Sequence, residues 1–273
     1  MKNTIRILIL GDIMGLPGRN MLQKHLRRLQ QMYDIDGTIV NGENANSNGR
    51  GLTSRIVESF RHNGVDVITT GNHVFDQNEL YNYLKNNNHV LRPINFPSEC
   101  PGVGLTTFLC KGVLVGVVNV QGRIFMRETL DCPFKAMDTA LSFLKHQTNV
   151  IVVDVHAEAT AEKVCLGYYL DGRVSVVVGT HTHTPTADER ILPHGTAYVT
   201  DLGMAGALHS SIGMKKDIMI AKFKSQMPYK YLVEEQPPFV MTGVWVEIDK
   251  DSGKAKEIQR VKVIDEELQV SES

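Results

Sequence analysis

The sequence predicts an α/β fold in which helices cover two β-sheets that pack face to face. Short β-branched runs alternate with helical patterns through the first half of the chain, and the last quarter contains mostly strand patterns. No linker rich in proline, glycine or serine divides the 273 residues. We therefore expect a single domain over residues 1–273, with a polar, acidic tail from about residue 266 that frays.

The composition is that of a soluble globular protein, with 42% hydrophobic residues and a formal net charge of −1. This balance provides no general attraction for polyanions, so we expect no stable nucleic-acid complex and no membrane association. No apolar run is long enough to span a bilayer, and the N-terminal residues lack the pattern of a signal peptide. The four cysteines have no C-x-x-C spacing, which favours buried thiols in a reducing cytoplasm.

In the first part of the chain, apolar runs alternate with segments whose apolar residues recur at helical spacing. The predicted elements are, in order, a strand at 5–10, a helix from about 20 to 32 after a glycine-rich turn, a strand at 37–41, a helix capped by Thr53 or Ser54, a strand at 65–69 and a helix from about 77 to 85. Each of these strands leads into a short polar stretch that contains glycine.

The second part begins with an antiparallel strand pair and ends with a run of strands. The pair covers 103–109 and 113–120 and turns at Lys111-Gly112. The predicted elements that follow are a helix at 136–146, a strand at 150–155, a helix at 160–170, a strand at 174–178, and strands at 197–200, 218–223, 240–248 and 258–264. No internal repeat or low-complexity tract interrupts this order.

Five strand patterns end in side chains of the kind that bind metals. These side chains are Asp12; Glu43 and Asn44; Asn72 and His73; His156; and His181 and His183. Ligands gather at the carboxyl ends of strands in α/β sheets, so we expect these groups to converge. Carboxylates, amide oxygens and imidazoles together suit first-row metals such as iron, manganese, zinc or cobalt better than calcium. There are too many donors for one ion, which favours two ions that share a bridging carboxylate.

Each of these residues also has an ordinary structural interpretation. Asp12 alone would be a helix cap, and Asn72 alone would be a turn former. Asn44 either binds a metal or hydrogen-bonds to Glu43 from outside the metal's coordination sphere. The coincidence of five strand ends favours a metal site over this set of separate roles, most clearly for the two histidines of the Gly179–His183 stretch.

The roles of three other polar residues stay open. Arg123 follows a strand end, so it is either a surface charge or a donor to a substrate phosphate. Arg19 is likewise either a surface charge or a functional residue, and His209 lies in a loop whose role the sequence does not define.

The ordered motifs resemble those of the calcineurin-like metallophosphoesterases. The motifs are Gly11-Asp12, Asn41-Gly42-Glu43-Asn44, Gly71-Asn72-His73, His156 and Gly179-Thr180-His181-Thr182-His183. Met14 stands where the usual D-x-H motif has its histidine, and Glu43 and Asn44 replace the usual G-D-x-x-D motif. Both departures resemble the YmdB-type branch, as do Gly15–Arg19, Asp131–Phe134, His156–Thr160, Leu170–Arg173 and Thr186–Arg190. The similarity runs from about Ile5 to Asp265.

The resemblance implies a four-layer αββα fold and a metal-dependent phosphodiesterase. The branch hydrolyses 2′,3′-cyclic nucleotides at the 2′ bond and leaves 3′-nucleotides, and the attacking group is a hydroxide that bridges two metal ions. Iron is the metal usually associated with it, and manganese serves related enzymes. Alternatives are a broader phosphoesterase or nuclease on the same fold, and a regulatory nucleotide-binding protein whose turnover is incidental. A homo-oligomer is left open, because no heptad pattern is present.

The resemblance also implies a role for each motif residue. The first ion would be held by Asp12, Glu43 and His183, with Asn44 in place of the missing histidine. Glu43 would bridge to a second ion, held also by Asn72, His156 and His181. His73 would be the catalytic histidine that gives a proton to the leaving oxygen.

Overall fold

The computed structural model describes residues 3–271. In this range the chain forms, in order, β1 (Thr4–Ile13), α1 (Gly15–Met32), β2 (Gly37–Asn41), α2 (Ser54–His62), β3 (Val67–Thr69), α3 (Leu80–Asn86), β4 (Val90–Leu91), β5 (Leu105–Cys110), β6 (Val113–Gln121), α4 (Pro133–Leu144), β7 (Val150–His156), α5 (Thr160–Leu170), β8 (Val176–Thr180), β9 (Arg190–Ile191), β10 (Ala197–Val199), β11 (Met204–Ala207), α6 (Lys216–Ser225), β12 (Phe239–Asp249) and β13 (Ala255–Asp265). Most elements lie within a few residues of their predicted positions.

The strands form two sheets. One has seven strands in the order β13-β12-β11-β1-β2-β3-β4, and the other has six in the order β5-β6-β7-β8-β10-β9. In the first sheet β1, β2 and β3 are parallel, and in the second β6, β7 and β8 are parallel. Parallel neighbours end at the same edge of their sheet, so each sheet has one edge where several carboxyl ends meet.

The two sheets face each other across an apolar core. Alternate residues of β1 point to opposite faces of the sheet, and Ile5, Ile7 and Ile9 pack toward Val152 and Val176 of the second sheet. On the other face, Leu8 and Leu10 belong to a separate cluster with residues of α1 and α2. A third cluster joins the outer face of the second sheet to α4 and α5. The layers are therefore α, β, β and α, which confirms the implied architecture.

Helix α1 begins at Gly15, five residues before the predicted start. The glycines that indicated a turn have a packing role instead, since a Cβ on Gly18 would lie 2.3 Å from the Ala205 carbonyl oxygen. Pro17 in the first turn is compatible with a helix, because its missing N–H would have had no partner there.

The strand predicted at 218–223 is wrong, because these residues lie within α6. Its apolar side chains do not alternate between a buried and an exposed face as those of a half-buried strand do. Only Met219 is buried, whereas Ile220 and Phe223 are 54% and 64% exposed. The short strands β4, β9 and β11, of two to four residues, were not predicted.

The acidic tail differs from the expected fraying. Leu268 and Val270 pack against the cluster below α1. The Asn20 side chain donates to the Ser271 carbonyl at 3.1 Å and accepts from its N–H at 3.0 Å. These contacts fasten the tail to α1 as far as Ser271, and residues 272 and 273 lie outside the described residues.

Between residues 3 and 271, no helix combines the length and the apolar character that crossing a bilayer would need. All four cysteines are free. The prediction of buried thiols holds for Cys110 but not for Cys165, which is exposed.

Candidate metal centre

The carboxyl edges of the two sheets meet at one cavity of about 400 Å³. At these edges the first sheet contributes Asp12 at the end of β1, and Glu43 and Asn72 from the segments after β2 and β3; of these three, Glu43 lines the cavity. The second sheet contributes His156 at the end of β7 and His181 just after β8. The structure thus brings together the side chains that the strand-end pattern selected.

Three donor atoms surround the Nε2 atom of His156. Glu43 Oε1 lies 2.9 Å from it, Asn72 Oδ1 lies 3.1 Å from it, and His181 Nδ1 lies 3.0 Å from it. Ligand atoms of Glu43, His156 and His181 all lie within 4.8 Å of one another, which is a spacing that can hold a metal ion. One imidazole nitrogen cannot hydrogen-bond well to three such neighbours at once, whereas a cation between them could bind all four atoms.

A second group of donors lies beside the first. His183 Nε2 is 3.2 Å from Asn44 Oδ1 and 3.9 Å from Asp12 Oδ1. Asp12 is fully buried, yet its Oδ1 atom has no hydrogen-bond partner. A buried carboxylate oxygen without a partner is costly, so this atom fits a bound cation.

Local hydrogen bonds orient the side chains of this second group. The His183 Nδ1 atom lies 2.8 Å from the Ile212 carbonyl oxygen, so Nδ1 donates a hydrogen bond to it and Nε2 is the nitrogen that faces Asn44 and Asp12. The Asn44 amide donates to the Gly49 carbonyl at 3.0 Å, which turns its oxygen toward His183. Asn44 therefore points its acceptor into the group rather than toward Glu43.

The charged side chains of the site shift one another's pKa values. Burial would raise the pKa of Glu43, but the neighbouring His156 outweighs burial and lowers it to about 2. Burial would lower the pKa of His156, but Glu43 outweighs it and raises this pKa to about 9. Burial and the charge of His156 lower the pKa of His181 to about 3, and burial raises the pKa of Asp12 to about 6. The proton on His156 thus occupies the place of a cation, and metal binding would release it.

A hydrogen-bonded chain behind His156 fixes its ring. The Nδ1 atom lies 2.9 Å from Thr180 Oγ1, and Thr180 donates in turn to Asp154 at 2.7 Å. Asn41 also donates to the Asp154 carboxylate, at 3.1 Å. The proton on Nδ1 is therefore held by Thr180, which leaves Nε2 aimed at the donor cluster. Asp154 was not predicted from the sequence, although it lies two residues before His156 and therefore on the same face of β7.

A buried ion pair holds the loop that carries the two motif histidines. His181 and His183 both have positive φ, 98° and 63°, which is strained for residues other than glycine. Between them, Thr182 donates its hydroxyl to Asp201 at 2.8 Å. Asp201 accepts from Lys163 Nζ at 2.7 Å, and both side chains are 1% exposed. The sequence analysis did not predict this pair. Asp201 nevertheless resembles His181 in sequence, since both come directly after a threonine near the end of a strand.

His73 lines the cavity but belongs to neither donor group. Its backbone N–H donates to Glu43 Oε2 at 3.1 Å, which keeps it beside the site. Its Nδ1 atom lies 2.9 Å from the carboxylate of Asp76, a residue that sequence analysis did not select. The ring is therefore oriented by a carboxylate and remains free to contact a bound molecule.

None of the three residues of open role is among those that line this cavity. Arg123 lines a separate cavity with Asp131 and Lys135. Arg19 lies on α1, and His209 is exposed after β11. The cavity beside the donor groups also has walls that were not predicted from the sequence, formed by Arg50, Glu158, Ile212, Met214, Met219 and Tyr231.

Two facing sheets with outer helices, and histidines, carboxylates and amides at their shared carboxyl edge, define a calcineurin-like metallophosphoesterase. Residues 8–261 match the family described as YmdB-like protein. The chain belongs to this family of hydrolases.

Three similar proteins illustrate the relationship. The 2′,3′-cyclic-nucleotide 2′-phosphodiesterase of Bacillus subtilis is 42% identical over 264 residues, which cover 97% of this chain and 99% of the relative. The crystal structure of a novel phosphatase from Mycoplasma pneumoniae has a TM-score of 0.91 at 32% identity and covers 97% and 95% of the two chains. That of a hypothetical protein from Thermus thermophilus has a TM-score of 0.88 at 38% identity and covers 96% and 100%.

The Lys163–Asp201 pair can be tested by unfolding the metal-free protein in urea. Lys163→Met should reduce the free energy of unfolding by about 3–5 kcal/mol, because it leaves a buried carboxylate without its cation. Adding Asp201→Asn should recover part of this loss, since no buried charge then remains. As a control, Arg173→Met removes an exposed pair with Asp138 and should cost less than about 1 kcal/mol. Equal costs for Lys163→Met and Arg173→Met, or additive effects at Lys163 and Asp201, would contradict this role.

Proposed function

We propose that this protein, acting as a single domain, is a dimetal phosphodiesterase that hydrolyses 2′,3′-cyclic nucleotides to 3′-nucleotides. The observation that carries the proposal is the pair of adjacent donor groups in one cavity, with His73 at their side. The name of the 42% identical Bacillus subtilis relative supports the substrate class. A cytoplasmic location is part of the proposal and fits the four free cysteines.

The donor set fits two first-row metal ions. We propose that they are iron, with manganese as the alternative. Asp12, Asn44 and His183 would hold one ion, and Asn72, His156 and His181 would hold the other, with Glu43 between them. When bound, two such ions supply a hydroxide at neutral pH and neutralise charge on a phosphate. The orphaned Asp12 oxygen supports this assignment, because a cation would give it a partner.

The chain's own residues would complete the reaction around the phosphate. His73 would donate a proton to the 2′ oxygen as the P–O2′ bond breaks, since an alkoxide is a poor leaving group. Asp76 would orient its ring through Nδ1, which leaves Nε2 for the proton transfer. Thr180 and Asp154 would hold His156, and Asp201 would hold the loop of His181 and His183.

The competing function is a broader phosphoesterase, and the description of the Mycoplasma pneumoniae structure as a phosphatase favours considering it. Fold does not determine substrate, so assays must separate the two. The missing D-x-H histidine, whose place Met14 takes, counts against the broad enzymes by resemblance.

The substrate is tested by product analysis with iron- or manganese-loaded protein. Incubation with 2′,3′-cAMP should give 3′-AMP as the main product by liquid chromatography, because the 2′ oxygen leaves. A phosphomonoester and an oligonucleotide with a free 3′-hydroxyl serve as comparison substrates and should react far more slowly. Faster turnover of either comparison substrate would favour the broader phosphoesterase, and 2′-AMP as product would refute the proposed bond.

The role of His73 is tested by His73→Ala. Loss of a proton donor should lower kcat for 2′,3′-cAMP by about 10²–10⁴-fold while the metal content stays unchanged. The loss should be much smaller with bis(p-nitrophenyl) phosphate, whose leaving group needs no proton. His62→Ala, on the exposed end of α2, is the control. An equal loss on both substrates would assign His73 a role other than proton donation.

The chain behind His156 is tested by Thr180→Val, which keeps the side-chain shape and removes the hydroxyl. His156 then loses the acceptor for its Nδ1 proton, and metal affinity should fall about 10–100-fold in competition with a chelator. Thr106→Val changes a buried threonine of β5 and should leave the affinity as it is. Unchanged affinity in Thr180→Val would show that the hydroxyl does not position the imidazole.

A further inference from the structure

The wall of the catalytic cavity continues into a strongly basic segment, residues 215–231. The segment contains five lysines and one aspartate, whereas the whole chain has a net charge of −1. The lysines are Lys215, Lys216, Lys222, Lys224 and Lys230. Met219 and Tyr231 of the segment line the cavity together with His73 and His183. A polyanion that enters the cavity would therefore pass along this positive surface.

The segment also exposes apolar and aromatic side chains. Only Met219 of α6 is buried, so the helix contributes little to the core. Phe223 is 64% exposed and Tyr229 is 43% exposed. Exposed rings among lysines are the combination that binds single-stranded nucleic acid, because bases stack on the rings while lysines contact the phosphates.

The spacing along α6 places these groups on one side. Lys216, Ile220, Phe223 and Lys224 are separated by four, three and one residues, so they share one helix face. The ten residues of α6 span about 15 Å at 1.5 Å per residue, which is longer than one nucleotide in the cavity requires. The side chain of Lys222 lies over the Tyr231 ring, 4.3 Å from its centroid, and links the helix to the cavity wall.

We propose that the 215–231 segment binds the nucleotides of a single-stranded RNA whose 3′ end, a 2′,3′-cyclic phosphate, is hydrolysed in the cavity. This inference rests on the proposed function. A 2′,3′-cyclic phosphate uses only the 2′ and 3′ oxygens of one ribose, so its 5′ oxygen is free to carry more chain. Water adds to the phosphorus, the P–O2′ bond breaks, the 2′ oxygen takes a proton, and the RNA ends in a 3′-phosphate.

The position of the segment favours RNA over other occupants. A second copy of the chain or a membrane on this face would cover residues that wall the cavity and would obstruct entry. A single-stranded RNA whose 3′ end lies in the cavity would contact the 215–231 segment and fill the cavity at the same time. The sequence predicts no stable nucleic-acid complex, and an RNA substrate that leaves after hydrolysis does not form one.

The test compares 2′,3′-cAMP with a pentaribonucleotide that ends in the same adenosine 2′,3′-cyclic phosphate. With the metal-loaded protein, kcat/KM should be about tenfold higher for the pentanucleotide in 50 mM salt. This advantage should fall about tenfold at 200 mM salt, since two or three phosphate contacts are screened. Lys216→Gln/Lys224→Gln and Phe223→Ala should each remove most of the advantage and leave kcat/KM for 2′,3′-cAMP within twofold.

The control is Lys85→Gln/Lys145→Gln, which removes two exposed lysines outside the segment and should leave both substrates unaffected. Hydrolysis of 2′,3′-cAMP with equal kcat/KM for the pentanucleotide would overturn the RNA surface and keep the proposed function. Salt-sensitive binding of the labelled pentanucleotide without turnover of either substrate would overturn the proposed function and keep the surface. A dimer in sedimentation that Ile220→Ser/Phe223→Ser dissociates would assign the face to a second copy and overturn the inference.

Discussion

The contact between Glu43 and His156 joins the two sheets at their carboxyl edges, and the rest of the site depends on it. Glu43 follows β2 of the first sheet, His156 ends β7 of the second, and their atoms approach to 2.9 Å where both are fully buried. The backbone at Gly71 lies against both side chains and leaves no room for a larger residue, since a Cβ there would lie 2.1 Å from His156 and 2.4 Å from Glu43. A carboxylate in such a place requires a positive partner, and the imidazolium of His156 provides it when no metal is bound.

This constraint explains why so much of the surrounding structure is polar and hydrogen-bonded. Asp154 and Thr180 orient His156 from behind, and the Lys163–Asp201 pair holds the strained loop of the motif histidines. Each residue of β7 has a fixed partner in β6 and most have one in β8, which fixes the position of His156 within its sheet, and the apolar core packs this sheet against the other. Packing therefore sets the backbone, and buried polar contacts set the orientation of the side chains at the site.

The fold and the donor residues could be predicted because their signals are local. β-Branched runs that end in aspartate, glutamate, asparagine or histidine are visible without tertiary information, and parallel strands bring their ends together. Asp154, Lys163 and Asp201 are different, since their roles depend on tertiary contacts. Asp154 meets Thr180 only when β7 pairs with β8, and Lys163 meets Asp201 only when α5 and β10 pack against β8. The wrong prediction of a strand at 218–223 has a physical cause. The apolar residues of α6 follow one another closely in the sequence, as in a strand, but Ile220 and Phe223 are exposed on a helix. The cavity wall from Ile212 to Tyr231 likewise depends on how a long connection folds back over the site.

The most direct test of this account is the metal content of the purified protein, measured by elemental analysis after aerobic and anaerobic purification. The two adjacent cation positions that we propose, with Glu43 shared between them, would hold about two first-row metal ions per chain. Glu43→Gln weakens both positions at once and should lower this content, whereas His62→Ala should not. A protein that binds no metal even after addition of iron or manganese would contradict the account, and the convergent side chains would then be a buried polar network alone.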